Sequence, residues 1–281
     1  MRVNAFSGLA LLTLAACGGD MPPPDELVEV TEAPREIRFT ATDFAFEGPE
    51  SVEAGLVTLV LENEAETWHH LQLIKLPDDM SMEQFQEAMG QIRPGSPPPD
   101  WLHEAGGVNP PPPGQLARVT QELEAGEYAV LCFVDMPDMV PHVFKGMIRP
   151  LTVTPATSEV AELAATELTL TLTDYAFGFS EPLTAGTHSI RVRNGADQAH
   201  EIALFKLLPG KTMDDVMAWE NYEGPSPMEP VGGVAAIAPG QAVNMNVTLD
   251  SGDYVALCFI PDATDGRMHV AHGMVLPFTV S

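Results

Sequence analysis

The chain is an internal duplication, and this bounds its architecture more tightly than any other feature. Thr42-Asp43-Phe44-Ala45-Phe46 returns as Thr173-Asp174-Tyr175-Ala176-Phe177, 131 residues on. The same offset of 131 carries Ala54-Gly55 onto Ala185-Gly186, Asn63 onto Asn194, His69 onto His200 and Lys75 onto Lys206. It becomes 126 for Gly106-Gly107-Val108 against Gly232-Gly233-Val234 and for Pro113-Gly114-Gln115 against Pro239-Gly240-Gln241. Tyr128 and Leu131-Cys132-Phe133 map onto Tyr254 and Leu257-Cys258-Phe259 at the same 126. One inserted residue makes it 127 for His142 against His269 and Gly146-Met147 against Gly273-Met274. A length of 281 residues accommodates two such units, each large enough to bury a core. We place them at 36–154 and 166–281, with 155–165 as a linker.

Within each unit the apolar residues alternate with period two, which predicts strands. Ile37, Phe39 and Ala41 do so, as do Leu168, Leu170 and Leu172, then Ile190 and Val192, then Val243, Met245, Val247 and Leu249. Turns fall at Ala54-Gly55, Pro113-Gly114, Ala125-Gly126 and their copies, and Pro94–Pro99 and Pro110–Pro113 read as loops. One helix per repeat is expected, over Asp78–Met89 with Ser81 as its cap, and over Thr212–Trp219. Met82, Phe85 and Met89 recur at helical spacing and are expected as core contacts. The fold class is therefore all-β: two tandem Greek-key β-sandwiches, each with a short helical insertion.

Residues 1–16 stand outside this pattern. Arg2 precedes an apolar run, Phe6 to Leu14, too short to span a bilayer. Leu14-Ala15-Ala16-Cys17 resembles the lipobox of bacterial lipoproteins. The resemblance implies cleavage before Cys17, acylation of Cys17, and anchoring to a bacterial membrane on its periplasmic or outer side. Residues 17–35, with Pro22, Pro23, Pro24 and several acids, read as an acidic tether. No further transmembrane helix is expected. Asp and Glu number 40 against 13 Lys and Arg, a formal charge of −27, which excludes nucleic acid as a partner and favours a basic protein or cations.

With Cys17 assigned to lipid, Cys132 and Cys258 remain, one per repeat. A disulfide between them would join two separate units at the same internal point, so none is expected. Burial as small apolar groups or metal ligation stays open for both. Each repeat offers a His, a Cys, a second His and a Met in order: His69, Cys132, His142, Met147, and His200, Cys258, His269, Met274. Two imidazoles, a thiolate and a weak axial thioether suit a Cu(II)/Cu(I) couple.

Gly126-Glu127-Tyr128-Ala129-Val130-Leu131-Cys132 resembles the Gly-x-Tyr-x-x-x-Cys strand of plastocyanin, and the order of those eight residues resembles the blue (type 1) copper family, the cupredoxins. Four residues separate His142 from Met147 and His269 from Met274, as in that family, and Asn63 and Asn194 each stand six before the first His. The resemblance implies a cupredoxin fold over nearly all of 36–281, copper at one site per domain, and one-electron transfer with an extracytoplasmic partner such as a basic redox protein or copper donor. One departure bears on this. The family puts only a few residues between the Cys and the second His, whereas nine (133–141) and ten (259–268) stand here. Metal-free members of the fold exist, so a binding module of the envelope is the alternative.

The chain is expected not to be an enzyme. Neither Cys has a flanking His, the only adjacent pair is His69-His70, and no second set of copper histidines or nucleophile-base motif stands out. His70 is replaced by Glu201 and is expected at the surface; His272 matches Lys145 and is expected exposed, as a reserve ligand. His103 and His188 have no counterpart and read as structural or solvated.

Overall fold

Alternating side chains settle into strands whose buried faces meet between two sheets. The structure, a computed structural model, describes residues 33–135, 138–157, 161–219 and 224–281. The first repeat contributes β1 (Arg35–Thr42), β2 (Ala45–Glu47), β3 (Ser51–Glu53), β4 (Gly55–Asn63), β5 (Leu71–Lys75), β6 (His103–Val108), β7 (Leu116–Leu123), β8 (Gly126–Leu131) and β9 (Ile148–Thr154). The second contributes β10 (Leu168–Thr173), β11 (Ala176–Phe179), β12 (Gly186–Asn194), β13 (His200–Leu207), β14 (Met228–Ile237), β15 (Ala242–Leu249), β16 (Gly252–Leu257) and β17 (Val275–Val280). In β1, Ile37, Phe39 and Ala41 are buried while Glu36 and Arg38 face out, as period two requires. The chain is all-β in class.

Both sheets cross from one repeat to the other. One runs β11-β10-β12-β15-β7-β4-β1-β2, the other β17-β16-β13-β14-β6-β5-β8-β9-β3. The joins are β7 with β15 and β6 with β14, both antiparallel. At each join a residue pairs with its own repeat equivalent: Val119 with Met245, and Val108 with Val234. The two halves are therefore related by an approximate two-fold axis through this seam. A single apolar core runs across it, taking Phe39 and Leu59 from one half and Leu170 and Ile190 from the other.

The helices lie over secondary clusters. α1 (Met82–Met89) starts at Ser81, whose side chain accepts from the Gln84 amide while Gln84 reaches back to the Ser81 N–H. This places the start four residues after the expected Asp78, because the cap decides it. Phe85 and Met89 are buried against Ile74, Leu131 and Val143, with Met82 packed at the margin. α2 (Met213–Ala218) is capped by Thr212 and Asp215 in the same manner. Among the described residues no helix is long and apolar enough to cross a membrane.

Close backbone approach occurs within each half, where β6 meets β5 and β14 meets β13. Gly107 and Gly233 have φ of +134° and +139°, and a Cβ on either would stand 2.0 Å from a carbonyl oxygen, of Leu71 or Ile202. Both the torsion and the contact demand glycine. Gly233→Ala should therefore lower stability by about 2–4 kcal/mol, read as a fall in the urea midpoint at unchanged slope. An unchanged midpoint would mean that the strands do not approach this closely.

Candidate metal centres

Each centre is assembled at one end of the sandwich from three neighbouring segments. The first His stands where β4 or β12 turns into the opposite sheet. Asn63 holds that turn, donating to the Thr67 carbonyl (2.9 Å) and accepting from the Ala65 amide (3.1 Å). Asn194 does the same with Gln198 (2.8 Å) and Ala196 (3.0 Å). The Cys follows the last residue of β8 or β16. The second His opens a 3-10 turn, His142–Lys145 or His269–His272, closed by left-handed Gly146 (φ 101°) or Gly273 (φ 93°).

The long intervals between Cys and second His do not separate these residues. The His142 amide donates to the Val134 carbonyl (2.8 Å) and the Val143 amide to the Cys132 carbonyl (2.8 Å). In the second half, His269 donates to Ile260 (2.9 Å) and Val270 to Cys258 (2.8 Å). The extra residues form an excursion whose two ends are tied together. Met147 and Met274 follow at once, fully buried, their amides bonded to the carbonyls of His142 (3.0 Å) and His269 (2.9 Å).

His69, Cys132 and His142 thus come together, as do His200, Cys258 and His269, with the ligand atoms of each trio within 4.8 Å of one another. In the first, Cys132 Sγ is 4.0 Å from His69 Nδ1 and 3.6 Å from His142 Nδ1, and the two Nδ1 atoms are 3.0 Å apart. In the second, Cys258 Sγ is 3.8 Å from His200 Nδ1 and 3.4 Å from His269 Nδ1. Donors held about 2.0 Å (imidazole) and about 2.3 Å (thiolate) from one ion stand roughly 3.5–4 Å apart at trigonal or tetrahedral angles. The four sulfur–nitrogen distances, 3.4–4.0 Å, lie at or close to that spacing, the His69 and His142 nitrogens at 3.0 Å stand closer, and all six side chains are buried.

The chemistry of the donors is compatible with a cation. Both cysteines are free. Burial pushes the Cys132 thiol up to about 12, and raises Cys258 likewise, so neither ionises unaided at neutral pH. Burial, with the facing His142, pulls His69 down to about 3. Burial, with the facing His200, pulls His269 down to about 4. Neutral imidazoles present lone pairs, and a bound metal ion would deprotonate the thiol outright. A soft thiolate with two imidazoles fits copper.

The two surroundings differ. In the second half His200 Nε2 donates to Asp174 Oδ1 (2.8 Å) and His269 Nε2 to Gln198 Oε1 (3.1 Å). Gln198 Nε2 in turn donates to Asp174 and Asp262, each at 3.0 Å, and Tyr175 donates its hydroxyl to Asp262. A carboxylate can only accept, so Nε2 of His200 carries the proton and Nδ1 is left for a metal. In the first half Thr67 Oγ1 lies 3.0 Å from His69 Nε2, and the ring of Phe44 stands edge-on to His142 at 5.0 Å between centroids. Phe44, Asp174 and Tyr175 belong to the repeated opening motif, which reads from sequence only as a strand signature; Gln198 carries no local signal.

Two expectations need correction. His70 is not at the surface: it is buried, accepting the Phe133 amide on Nε2 (2.7 Å) and facing Asn109 Oδ1 from Nδ1 (3.3 Å). It follows His69 just ahead of β5, where its ring is taken up between the Phe133 amide and the Asn109 side chain. His272 is half-buried, stacked on Tyr175 (4.7 Å) and paired with Asp265 (3.2 Å), outside the His200 trio. It forms a third group with Asp262 and Asp265, whose carboxylates also cap the backbone of their own loop. His103 and His188 bond to the carbonyls of Asp100 (3.1 Å) and Thr184 (2.7 Å). Cys17 lies outside the described residues.

No family description and no curated relative matches the chain. Among solved structures it is similar to a dithionite-reduced auracyanin from the photosynthetic bacterium Roseiflexus castenholzii, at 20% identity over 44% of this chain and 100% of that one, TM-score 0.31. It is similar to a blue copper oxidase from Nitrosomonas europaea, at 16% identity over 88% and 85%, TM-score 0.27. It is also similar to a copper-containing nitrite reductase from Thermus scotoductus, at 11% identity over 89% and 62%, TM-score 0.24. At such identities and scores the chain's own geometry, a two-sheet sandwich with a His-Cys-His trio at one end of each half, is what marks the fold as cupredoxin-like. The matches nevertheless include oxidases and a reductase, so the expectation that the chain is not an enzyme is withdrawn.

Proposed function

We propose that the chain binds copper at both trios and passes single electrons there, as a lipid-anchored protein of the cell envelope built from two tandem cupredoxin-like domains, 36–154 and 166–281. The observation that supports this best is the same in each half: an unpaired buried thiol faced by two neutral imidazole nitrogens. His69, Cys132 and His142, and His200, Cys258 and His269, would hold the ion, with Met147 and Met274 as weak axial ligands. Bound copper would supply a Cu(II)/Cu(I) couple.

The chain's residues do the rest. Complete burial of the trios excludes water. The backbone bonds from His142 to Val134 and from His269 to Ile260 keep the second imidazole in place, so the ligands need not move when charge changes. Asp174 and Gln198 hold the Nε2 protons of His200 and His269. The excess of acidic residues would draw a basic redox protein or a copper donor to the surface, most strongly at low salt.

The test is a titration of reduced, metal-free protein with Cu(II). An intense visible thiolate band should grow to two ions per chain, one for each trio, and bleach on reduction. A colourless protein that retains no copper after dialysis would leave the metal-free binding module as the reading.

Anchoring through Cys17 has its own test. Cys17→Ser should release the protein from bacterial membranes while leaving its melting temperature unchanged, because the tether precedes the folded unit that starts at Ala33. A variant that still sediments with membranes after a salt wash would rule out the lipid anchor.

A further inference from the structure

A buried hydrogen-bonded chain joins the two cysteine sites across the seam. At the first site, the amide of Phe133, the residue after Cys132, donates to His70 Nε2 (2.7 Å). His70 Nδ1 faces Asn109 Oδ1 (3.3 Å). Asn109 Nδ2 donates to Glu201 Oε2 (3.0 Å), and also reaches the carbonyls of Ile202 and Val234, both at 3.0 Å. Glu201 Oε1 accepts the amide of Phe259, the residue after Cys258 (2.9 Å), and the Glu201 amide lies 3.5 Å from Cys258 Sγ. His70, Asn109 and Glu201 are all buried, and His70 and Glu201 each directly follow a ligand histidine.

Stability alone does not account for this arrangement. A buried carboxylate is costly to keep in a sandwich core, and apolar side chains would fill the space at least as stably. His70 and Glu201 occupy equivalent positions, yet they are different residues made complementary by one amide that the second half lacks: Ala235 stands where the first half has Asn109. The series begins at one cysteine and ends at the other, with every link a covalent bond or a hydrogen bond.

We propose, resting on the copper reading of both trios, that His70, Asn109 and Glu201 form an internal relay that carries an electron between the Cys132 and Cys258 sites. One electron leaves one site and one enters the other. The half-reduced chain keeps its atoms and its total charge, and the exchange consumes no outside oxidant or reductant. No proton has to move: Nε2 of His70 accepts the Phe133 amide, so the ring proton sits on Nδ1, and Asn109 and Glu201 keep their roles as donor and acceptor. These three are positioning residues; none is placed as a ligand.

The experiment is one-electron reduction of the two-copper protein by a radiolytically generated radical, with the two Cu(II) signals followed by paramagnetic resonance and absorption. In the wild-type chain, the electron should redistribute between the sites in a first-order phase whose rate does not depend on protein concentration. Asn109→Leu should lose that phase while both sites keep their colour and one copper each. A phase that scales with protein concentration, or one that survives in Asn109→Leu, overturns the relay. If neither site becomes coloured, the copper reading fails with it, which separates the two failures. A metal-free measurement stands beside these in case the variant folds poorly. Nitrogen NMR of His70 in the wild-type apo chain should show the Nδ1–H tautomer, and the Nε2–H tautomer would break the chain at its first link and overturn the proposal.

Discussion

Cys132→Ser should remove the visible band of the first copper site and leave that of the second, Cys258→Ser should do the reverse, and the double variant should be colourless. The reason is chemical. Each trio contains one sulfur that can be a thiolate, and a thiolate bound to Cu(II) is the source of the intense absorption. A serine hydroxyl keeps the size of the side chain and much of its burial, but it is a hard, weakly acidic ligand that gives no such band. The trios draw all their ligands from separate halves, so loss of one thiol does not remove a ligand from the other. The measurement is the molar absorption per bound copper in the two single variants, each expected at the value of the site that remains. Full colour in either variant, or complete loss in both, would contradict independent ligand sets.

Tyr254→Ala should cost about 3–5 kcal/mol, in the range for loss of a buried aromatic ring. Tyr254 is 1% exposed, its ring is stacked on Phe278 at 5.5 Å between centroids, and its hydroxyl donates to the Asp250 carbonyl (2.9 Å). Tyr128 repeats the last of these contacts in the first half, bonding to the Glu124 carbonyl (2.9 Å). Tyr254→Phe should cost only about 0.5–1.5 kcal/mol, the net worth of one hydrogen bond. The difference between the two variants separates packing from the hydrogen bond. Because one core passes through both halves, the whole chain's urea transition should shift as a unit, and a second transition confined to one half would count against that continuity. If alanine and phenylalanine cost the same, the ring does not contribute packing as described.

Much of this molecule is legible in its sequence because the repeat prints each local device twice. Tyr128 and Cys132 recur as Tyr254 and Cys258 at the same spacing, which reads as one strand face with a thiol at its end, and the order of residues already names the His-Cys-His members that the structure brings together. Two things were hidden for physical reasons. The count of nine or ten residues between Cys and second His measures contour length, while the separation that matters is set by the bond from His142 back to Val134, which no spacing rule contains. The pairing of Val119 with Met245 is likewise invisible, since an interior strand and an edge strand alternate in the same way and only a partner distinguishes them. The burial of His70 is not legible either, because its counterpart is an acid. Difference between copies suggests a tolerant surface, when here it marks two halves of one buried contact.

The two-fold relation at the seam bears on ancestry. Strands that pair with their own equivalents make a contact that two separate, identical chains can also form, as a symmetric dimer. In such a dimer every residue on one side is matched by the same residue on the other, so an imidazole would face an imidazole, or a carboxylate a carboxylate. Fusion into one chain lifts that restriction. Each copy can then mutate alone, and His70 against Glu201, Asn109 against Ala235 and Gln72 against Ala203 are among the places where the two copies differ near the interface. A direction from one centre to the other is a property that a symmetric pair cannot possess and that a fused one can acquire.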